Sequence, residues 1–292
     1  MNQADFVIPE QDDRELQFVP SDPRRARTLT PAQVEEFNRR GFVRGLPVFE
    51  GEEAERAASY IQGLVDDAVS AADQRDSYSV NAYHLTCKGI YELARTPIIL
   101  DYVEDILGPD FVCWGSTVFC KLPGDAREVS LHQDAAFWPF TPSHTVTAWL
   151  SIDGADERNS AMRFVPGSHL SGALAHEDLP LDGTRVHRRQ VFDAGNYRDK
   201  VLNVLAAGEL SLHSDLLLHG SAPNRAAVRR TGLVLRYANT QVRALPGWEW
   251  WHGGAIPGRG ESPAWWPVRR MPKGEHPELM AAFVRESRLG GG

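Results

Sequence analysis

Cysteine is scarce in this chain: Cys87, Cys113 and Cys120 are the three present, and they are scattered. That rules against a disulfide framework and against a thiolate metal site. Positive charge is also in short supply, with 31 Lys and Arg against 39 Asp and Glu and a formal net charge of −8. A nucleic-acid partner is therefore disfavoured. No apolar run is long enough to cross a bilayer. The opening Met1-Asn2-Gln3-Ala4-Asp5 lacks the basic-then-apolar pattern of a secretory leader. These absences predict a cytoplasmic protein with no membrane and no nucleic-acid partner. What is present is ordinary globular composition, 42% hydrophobic and 24% charged over 292 residues, enough for a sizeable core.

Read in order, residues 1–28 are polar and proline-bearing and predict an irregular arm. Residues 29–110 predict a helical buttress. Thr30 is placed to cap a helix, Pro31 to occupy its first position and Gln33 to close a capping box, with Gly41 as terminator. A strand is expected at 42–48. Further helices are expected over about 50–70, where Ala54, Ala57, Ile61, Leu64 and Val65 fall at helical spacing, and over about 96–107. Residues 111–243 change to short runs broken by turns. Strands are expected at 111–121, 128–133, 144–153, 161–166, 186–192, 208–213, 215–219 and 231–240, the pattern of a jelly-roll barrel. Residues 244–292 form a Trp-rich extension (Trp248, Trp250, Trp251, Trp265, Trp266), read as packing on the barrel or as a subunit contact. The whole is read as one mainly β domain with flanking helices, monomeric or homodimeric.

Two stretches carry chemistry. In Leu131-His132-Gln133-Asp134, extended backbone places the His132 imidazole and the Asp134 carboxylate on one face. Far along the chain, Leu218-His219-Gly220-Ser221 offers a second imidazole at the end of another expected strand. Two histidines and a carboxylate on one face of a metal, with other positions open, suit non-haem Fe(II). Two imidazoles and a carboxylate also accept Zn(II) or Co(II), so a cupin-like metal protein without oxygenase activity is the alternative. Arg230 beyond His219 supplies a cation whose rigid fork pairs bidentately with a carboxylate. Arg236 alternates with apolar neighbours and can also point inward. His213 is the nearest competitor to His219 and is read as a hydrogen-bonded core histidine.

These stretches, with Phe164-Val165-Pro166-Gly167-Ser168-His169 and His219-Gly220-Ser221-Ala222-Pro223-Asn224 followed by Arg230, resemble the phytanoyl-CoA dioxygenase family, in its bacterial small-molecule hydroxylase form. The resemblance spans most of the chain. It implies a double-stranded β-helix (jelly-roll, cupin-like) barrel buttressed by N-terminal helices, using Fe(II), 2-oxoglutarate and O2 on a small molecule. Carried over by motif, His132, Asp134 and His219 are the iron ligands. Arg230, Ser221, Trp149 and Thr117 serve 2-oxoglutarate. The reaction implied is hydroxylation of an unactivated C–H bond of a polar or anionic metabolite, with release of succinate and CO2. Desaturation, cyclisation or oxidative cleavage are its variants. Halogenation is not expected, because Asp134 fills the position a halide ligand would need. Candidate substrate contacts are Phe137 and Trp138 after the metal motif, Lys121 and Arg163 on nearby strands, and Asn81 and His84 before the barrel. The long connection over 170–200 is expected to cover the site.

Overall fold

A computed structural model describes residues 14–71, 76–180 and 182–280. Residues 1–13 of the arm expected at 1–28 and the closing residues 281–292 of the Trp-rich extension lie outside those residues. Four α-helices are described: α1 Pro31–Arg40, α2 Gly51–Ser70, α3 Lys88–Ala94 and α4 Pro97–Leu107. The start of α1 is a complete capping box: Thr30 Oγ1 accepts from the Gln33 N–H at 3.2 Å, and Gln33 Oε1 accepts from the Thr30 N–H at 2.8 Å. Gly41 closes the helix with φ +83°, a conformation glycine adopts without strain. α3 was not foreseen.

The strands in chain order are β1 Phe42–Pro47, β2 Phe111–Lys121, β3 Val129–His132, β4 Phe140–Thr141, β5 Thr145–Ser151, β6 Arg163–Phe164 and β7 His176–Asp178. They continue with β8 Arg189–Val191, β9 Val201–Leu202, β10 Glu209–Ser214, β11 His219–Ser221, β12 Arg230–Asn239, β13 Arg243–Ala244 and β14 Ile256–Arg259. Among the described residues they form a large sheet, β1-β10-β5-β12-β2-β14, a small sheet, β3-β11-β6-β9, and two two-stranded ribbons. The pairings between strands are antiparallel. The protein is thus mostly antiparallel β with helices to one side.

The large sheet sorts its residues by parity. Along β12, Leu233, Leu235 and Tyr237 join the helices, with Val146, Ala148 and Leu150 of β5 and Leu210 and Leu212 of β10, in one apolar core. The intervening Arg230, Val234 and Arg236 face a cavity between the sheets, as do Thr147 and Trp149 of β5 and His213 of β10. A second apolar cluster, including Phe42, Phe164, Leu217 and Val234, joins the sheets beside that cavity.

Three expected strands differ in detail. The run at 161–166 shortens to β6 and that at 186–192 to β8. At 215–219 the apolar run is a buried turn, and the strand begins at His219. Leu216, Leu217 and Leu218 are fully buried there. Side chains supply what the ladder does not: the Leu216 N–H donates to Ser214 Oγ, and the Leu218 N–H donates to Ser168 Oγ. The Trp-rich stretch contributes β14 to the edge of the large sheet beside β2 and buries Trp266 with Trp114, Trp138 and Phe140. No described helix is long and apolar enough to cross a membrane.

Candidate metal centre

Strand register brings the two histidines together. His132 at the end of β3 sits directly opposite His219 at the start of β11, and their ring centroids lie 4.2 Å apart. Gly220 lets these strands approach, since a Cβ there would lie 2.6 Å from the Val129 carbonyl oxygen. Asp134 opens the 3-10 turn Asp134–Phe137 just past β3. One ligand atom from each of His132, Asp134 and His219 falls within 4.8 Å of the others, and all three residues are buried.

The local hydrogen bonds aim these atoms. His132 Nδ1 donates to the Ser130 carbonyl at 2.7 Å and His219 Nδ1 to the Leu217 carbonyl at 3.0 Å. Each bond leaves Nε2 as the lone-pair nitrogen. The two Nε2 atoms lie 3.6 and 3.8 Å from Asp134 Oδ1, while Thr147 Oγ1 donates to Asp134 Oδ2 at 3.0 Å. Burial, then His132, pushes His219 down to about 3, so it is neutral near pH 7. Burial alone would raise the Asp134 carboxyl, but His219, His132, His213 and Arg236 outweigh it and hold the group well below the usual carboxylate range. Two imidazoles that each present Nε2 and an ionised carboxylate, with no further His, Cys or carboxylate in the cluster among the described residues, fit a divalent metal with open positions.

A cavity extends from these atoms, lined by Trp149, Ser221, Arg230 and Arg236 among others. Arg230 is 2% exposed, and its guanidinium carbon lies 5.6 Å from the Trp149 ring centroid. Its Nε and the Ser221 Oγ are buried with no hydrogen-bond partner. Orphaned buried polar groups are costly, and these two fit an anionic ligand that hydrogen-bonds to them. Gly232 makes room for the tryptophan, because a Cβ there would lie 2.2 Å from its ring.

A second lobe shares His132, Asp134, Phe119, His187 and Arg236 with the first and adds Tyr78, Asn81, Thr117, Phe137 and Trp138. Of the anticipated contacts, Asn81, Phe137 and Trp138 line this lobe. Thr117 also lines it, and not the lobe that holds Arg230. Thr117 Oγ1 donates to Asn81 Oδ1 and accepts from Arg236. Arg14 donates to the carbonyls of Ala135 and Trp138, fixing the turn that carries Phe137 and Trp138.

The remaining three lie elsewhere. Lys121 is fully buried behind Ser221, its ammonium donating to the carbonyls of Arg127, Ser221 and Ala222. Burial, then Arg230, pushes it down to about 7. Arg163 is exposed on β6 beside a separate surface cavity. His84 is buried against Ser116 Oγ and the Gly254 carbonyl and lines neither lobe.

Two cavity residues carry more than the sequence assigned them. His213, anticipated as a bonded core histidine, has both ring nitrogens unpartnered, with Nε2 3.8 Å from Asp134 Oδ2. His187 comes from the connection between β7 and β8, and its ring stands 4.5 Å from that of His132. The connection is held over the turn after β3 by Arg189, which donates to the Ala136 carbonyl at 2.6 Å. Strand alternation was the signal for His213; nothing in the irregular segment marked His187.

Comparison with known proteins agrees with this geometry. The sequence profile of phytanoyl-CoA dioxygenase (PhyH) matches residues 37–232. A probable alpha-ketoglutarate-dependent hypophosphite dioxygenase of Stutzerimonas stutzeri is 27% identical over 74% of this chain and 80% of its own length. The peroxisomal phytanoyl-CoA dioxygenase of Bos taurus is 30% identical over 53% of the chain, which spans 48% of that relative. Among solved structures, the apo non-heme monooxygenase ThoJ superposes with a TM-score of 0.70 at 25% identity, over 87% of this chain and 94% of that one. CytC3 with Fe(II) and alpha-ketoglutarate superposes with a TM-score of 0.55 at 25% identity, over 75% of this chain and 80% of that one.

Proposed function

This chain belongs to the phytanoyl-CoA dioxygenase family of iron- and 2-oxoglutarate-dependent oxygenases, and on that footing we propose that it hydroxylates a C–H bond of a small molecule. In this reading the two sheets are the halves of a double-stranded β-helix within a single oxygenase domain. His132, Asp134 and His219 hold the iron. Bound iron and 2-oxoglutarate supply the oxidising power, as dioxygen is reduced while 2-oxoglutarate is cleaved to succinate and CO2 and one oxygen atom passes to the substrate.

The chain's own contribution is orientation. The backbone carbonyls of Ser130 and Leu217 lock both imidazoles, and Thr147 occupies Asp134 Oδ2 so that Oδ1 is left toward the metal. Arg230, with Ser221 beside it, takes the distal carboxylate of 2-oxoglutarate as a charge-assisted pair, and Trp149 forms a wall of that lobe. Phe119, Met162 and Val234 line the lobe with apolar surface and restrict water. Asp134 fills the position a halide would need, which favours hydroxylation over halogenation.

The observation that carries this proposal is the meeting of two lone-pair imidazole nitrogens and a carboxylate beside two orphaned donors, Arg230 Nε and Ser221 Oγ. Its test uses Fe(II), 2-oxoglutarate and 18O2 with a panel of small carboxylic acids. The acid that raises succinate formation is expected to gain one 18O atom. An unlabelled product two hydrogens lighter would replace hydroxylation with desaturation.

A further inference from the structure

Arg230 is not the only arginine in the cavity. Arg236, 3% exposed, lies at the junction and lines both lobes. Its Nη1 donates to Thr117 Oγ1 at 2.9 Å, while its Nε is buried without any partner. Its guanidinium carbon stands 5.6 Å from the Trp138 ring centroid and 5.9 Å from that of Trp114. Among the described residues no carboxylate is within ion-pair distance of it; Asp134 acts on it only from further away. His187 faces the same junction, 8% exposed, with neither ring nitrogen hydrogen-bonded.

The charge ledger gives these orphans a purpose. A divalent metal, Asp134 and dianionic 2-oxoglutarate, with Arg230 and Arg236 both charged, leave one positive charge over among buried side chains. An uncompensated buried charge is expensive, so a partner for it is built into whatever completes the site. Lys121 does not alter the count, because its ammonium is bound to three backbone carbonyls and it lines neither lobe. Besides Arg236, His187 and the metal-facing His132 and Asp134, the second lobe is lined by Phe119, Phe137, Trp138, Tyr78 and Val186, with the polar Asn81 and Thr117. The lobe therefore offers one cation, uncharged polar groups and an aromatic bed.

We propose that Arg236 is the residue that selects the substrate, and that the substrate is a small monoanion, a carboxylic acid or an equivalent oxyanion with an apolar body. Its acid group lies on the free edge of Arg236 with His187 alongside, and its body lies against Phe137 and Trp138. This rests on the oxygenase reading, which assigns Arg230 to the co-substrate and leaves Arg236 for the substrate. A substrate without negative charge would leave Arg236 as a structural counter-ion to Asp134.

The test is calorimetric and needs no turnover. Zn(II)-loaded protein is first titrated with 2-oxoglutarate. The complex is then titrated with phenylacetate, 3-phenylpropionate and 4-phenylbutyrate, each paired with its neutral amide. Wild type is expected to bind at least one acid roughly tenfold or more tighter than its amide, the scale of a hydrogen bond to a charged group. Arg236→Gln is expected to bring acid and amide to near equality with unchanged 2-oxoglutarate affinity, and Arg236→Lys to restore part of the preference. No acid preference in wild type, including binding of none of the three acids, overturns the proposal. So does Arg236→Gln retaining the preference, or losing 2-oxoglutarate together with both probes, since that is a structural role. Failure of wild type to bind 2-oxoglutarate at the first step counts separately, against the oxygenase reading itself.

Discussion

The two faces of the large sheet, built from alternate residues of the same strands, do opposite jobs. On the helix side, Leu233, Leu235 and Tyr237 of β12 meet Leu210, Leu212 and the helices in an apolar core. At the other parity of the same strand, Arg230, Val234 and Arg236 face the cavity, beside His213 and Trp149. The helix face removes apolar area from water and stabilises the fold. The cavity face does the reverse, since it keeps Arg230 Nε, Arg236 Nε and both nitrogens of His213 buried and unpartnered. Stability on one face thus offsets the cost of an incomplete site on the other. Parity along a strand decides which of the two a substitution disturbs.

The sharpest way to break this division is to cut the donor set. His219→Ala is expected to abolish tight metal binding and activity, while the metal-free variant keeps a melting temperature close to wild type. Equilibrium dialysis with Co(II) and a thermal melt check both halves, and a large loss of stability would mean that His219 belongs to the core. The mirror experiment is Leu235→Ala, fully buried on the helix face. A cost of roughly 2–5 kcal/mol in denaturant unfolding is expected, with 2-oxoglutarate affinity unchanged wherever the protein remains folded. Gly232→Ala tests the boundary, because its new Cβ would meet the Trp149 ring at 2.2 Å. It is expected to cost about 1–3 kcal/mol and to weaken 2-oxoglutarate binding as well; a loss of stability alone would show that the Trp149 position does not matter to the ligand.

The smallest expected effect is on pH dependence. Burial, opposed by the hydrogen bond to the Gly254 carbonyl, pushes His84 down from its ordinary 6.5 to about 4. The unfolded chain therefore takes up this proton first. The stability held by neutral His84 is complete above pH 6.5 and is lost as the pH falls toward 4, with a slope of at most about 1.4 kcal/mol per pH unit. His84→Asn is expected to flatten stability across that window in urea titrations of the metal-free protein. An unchanged slope would remove His84 from the account.

Much of this division can be read before folding. The Thr30, Pro31, Gln33 and Gly41 signals define α1 at both ends because caps are local chemistry. The parity of β12 and the His132, Asp134 and His219 pattern are legible because extended backbone repeats every two residues. What sequence hides is set by distant contacts. Leu216–Leu218 look like strand yet form a turn satisfied by Ser214 and Ser168. Trp266 and β14 look like a tail yet pack with Trp114 and β2. His187 reaches His132 from a segment with no regular pattern of its own. Arg163 and His84 lie near the motif in sequence or on its flank, but their side chains are directed elsewhere.

The most direct test of the central claim is an anaerobic titration of the Fe(II)-loaded protein with 2-oxoglutarate, following the weak visible charge-transfer band of the chelate. The band is expected in wild type. It should be absent in His219→Ala and reached only at roughly 30-fold or more higher 2-oxoglutarate in Arg230→Ala, the range for losing one partner of a buried charge pair. A folded, iron-loaded wild type that shows no band would contradict the assignment of the cavity face to iron and 2-oxoglutarate.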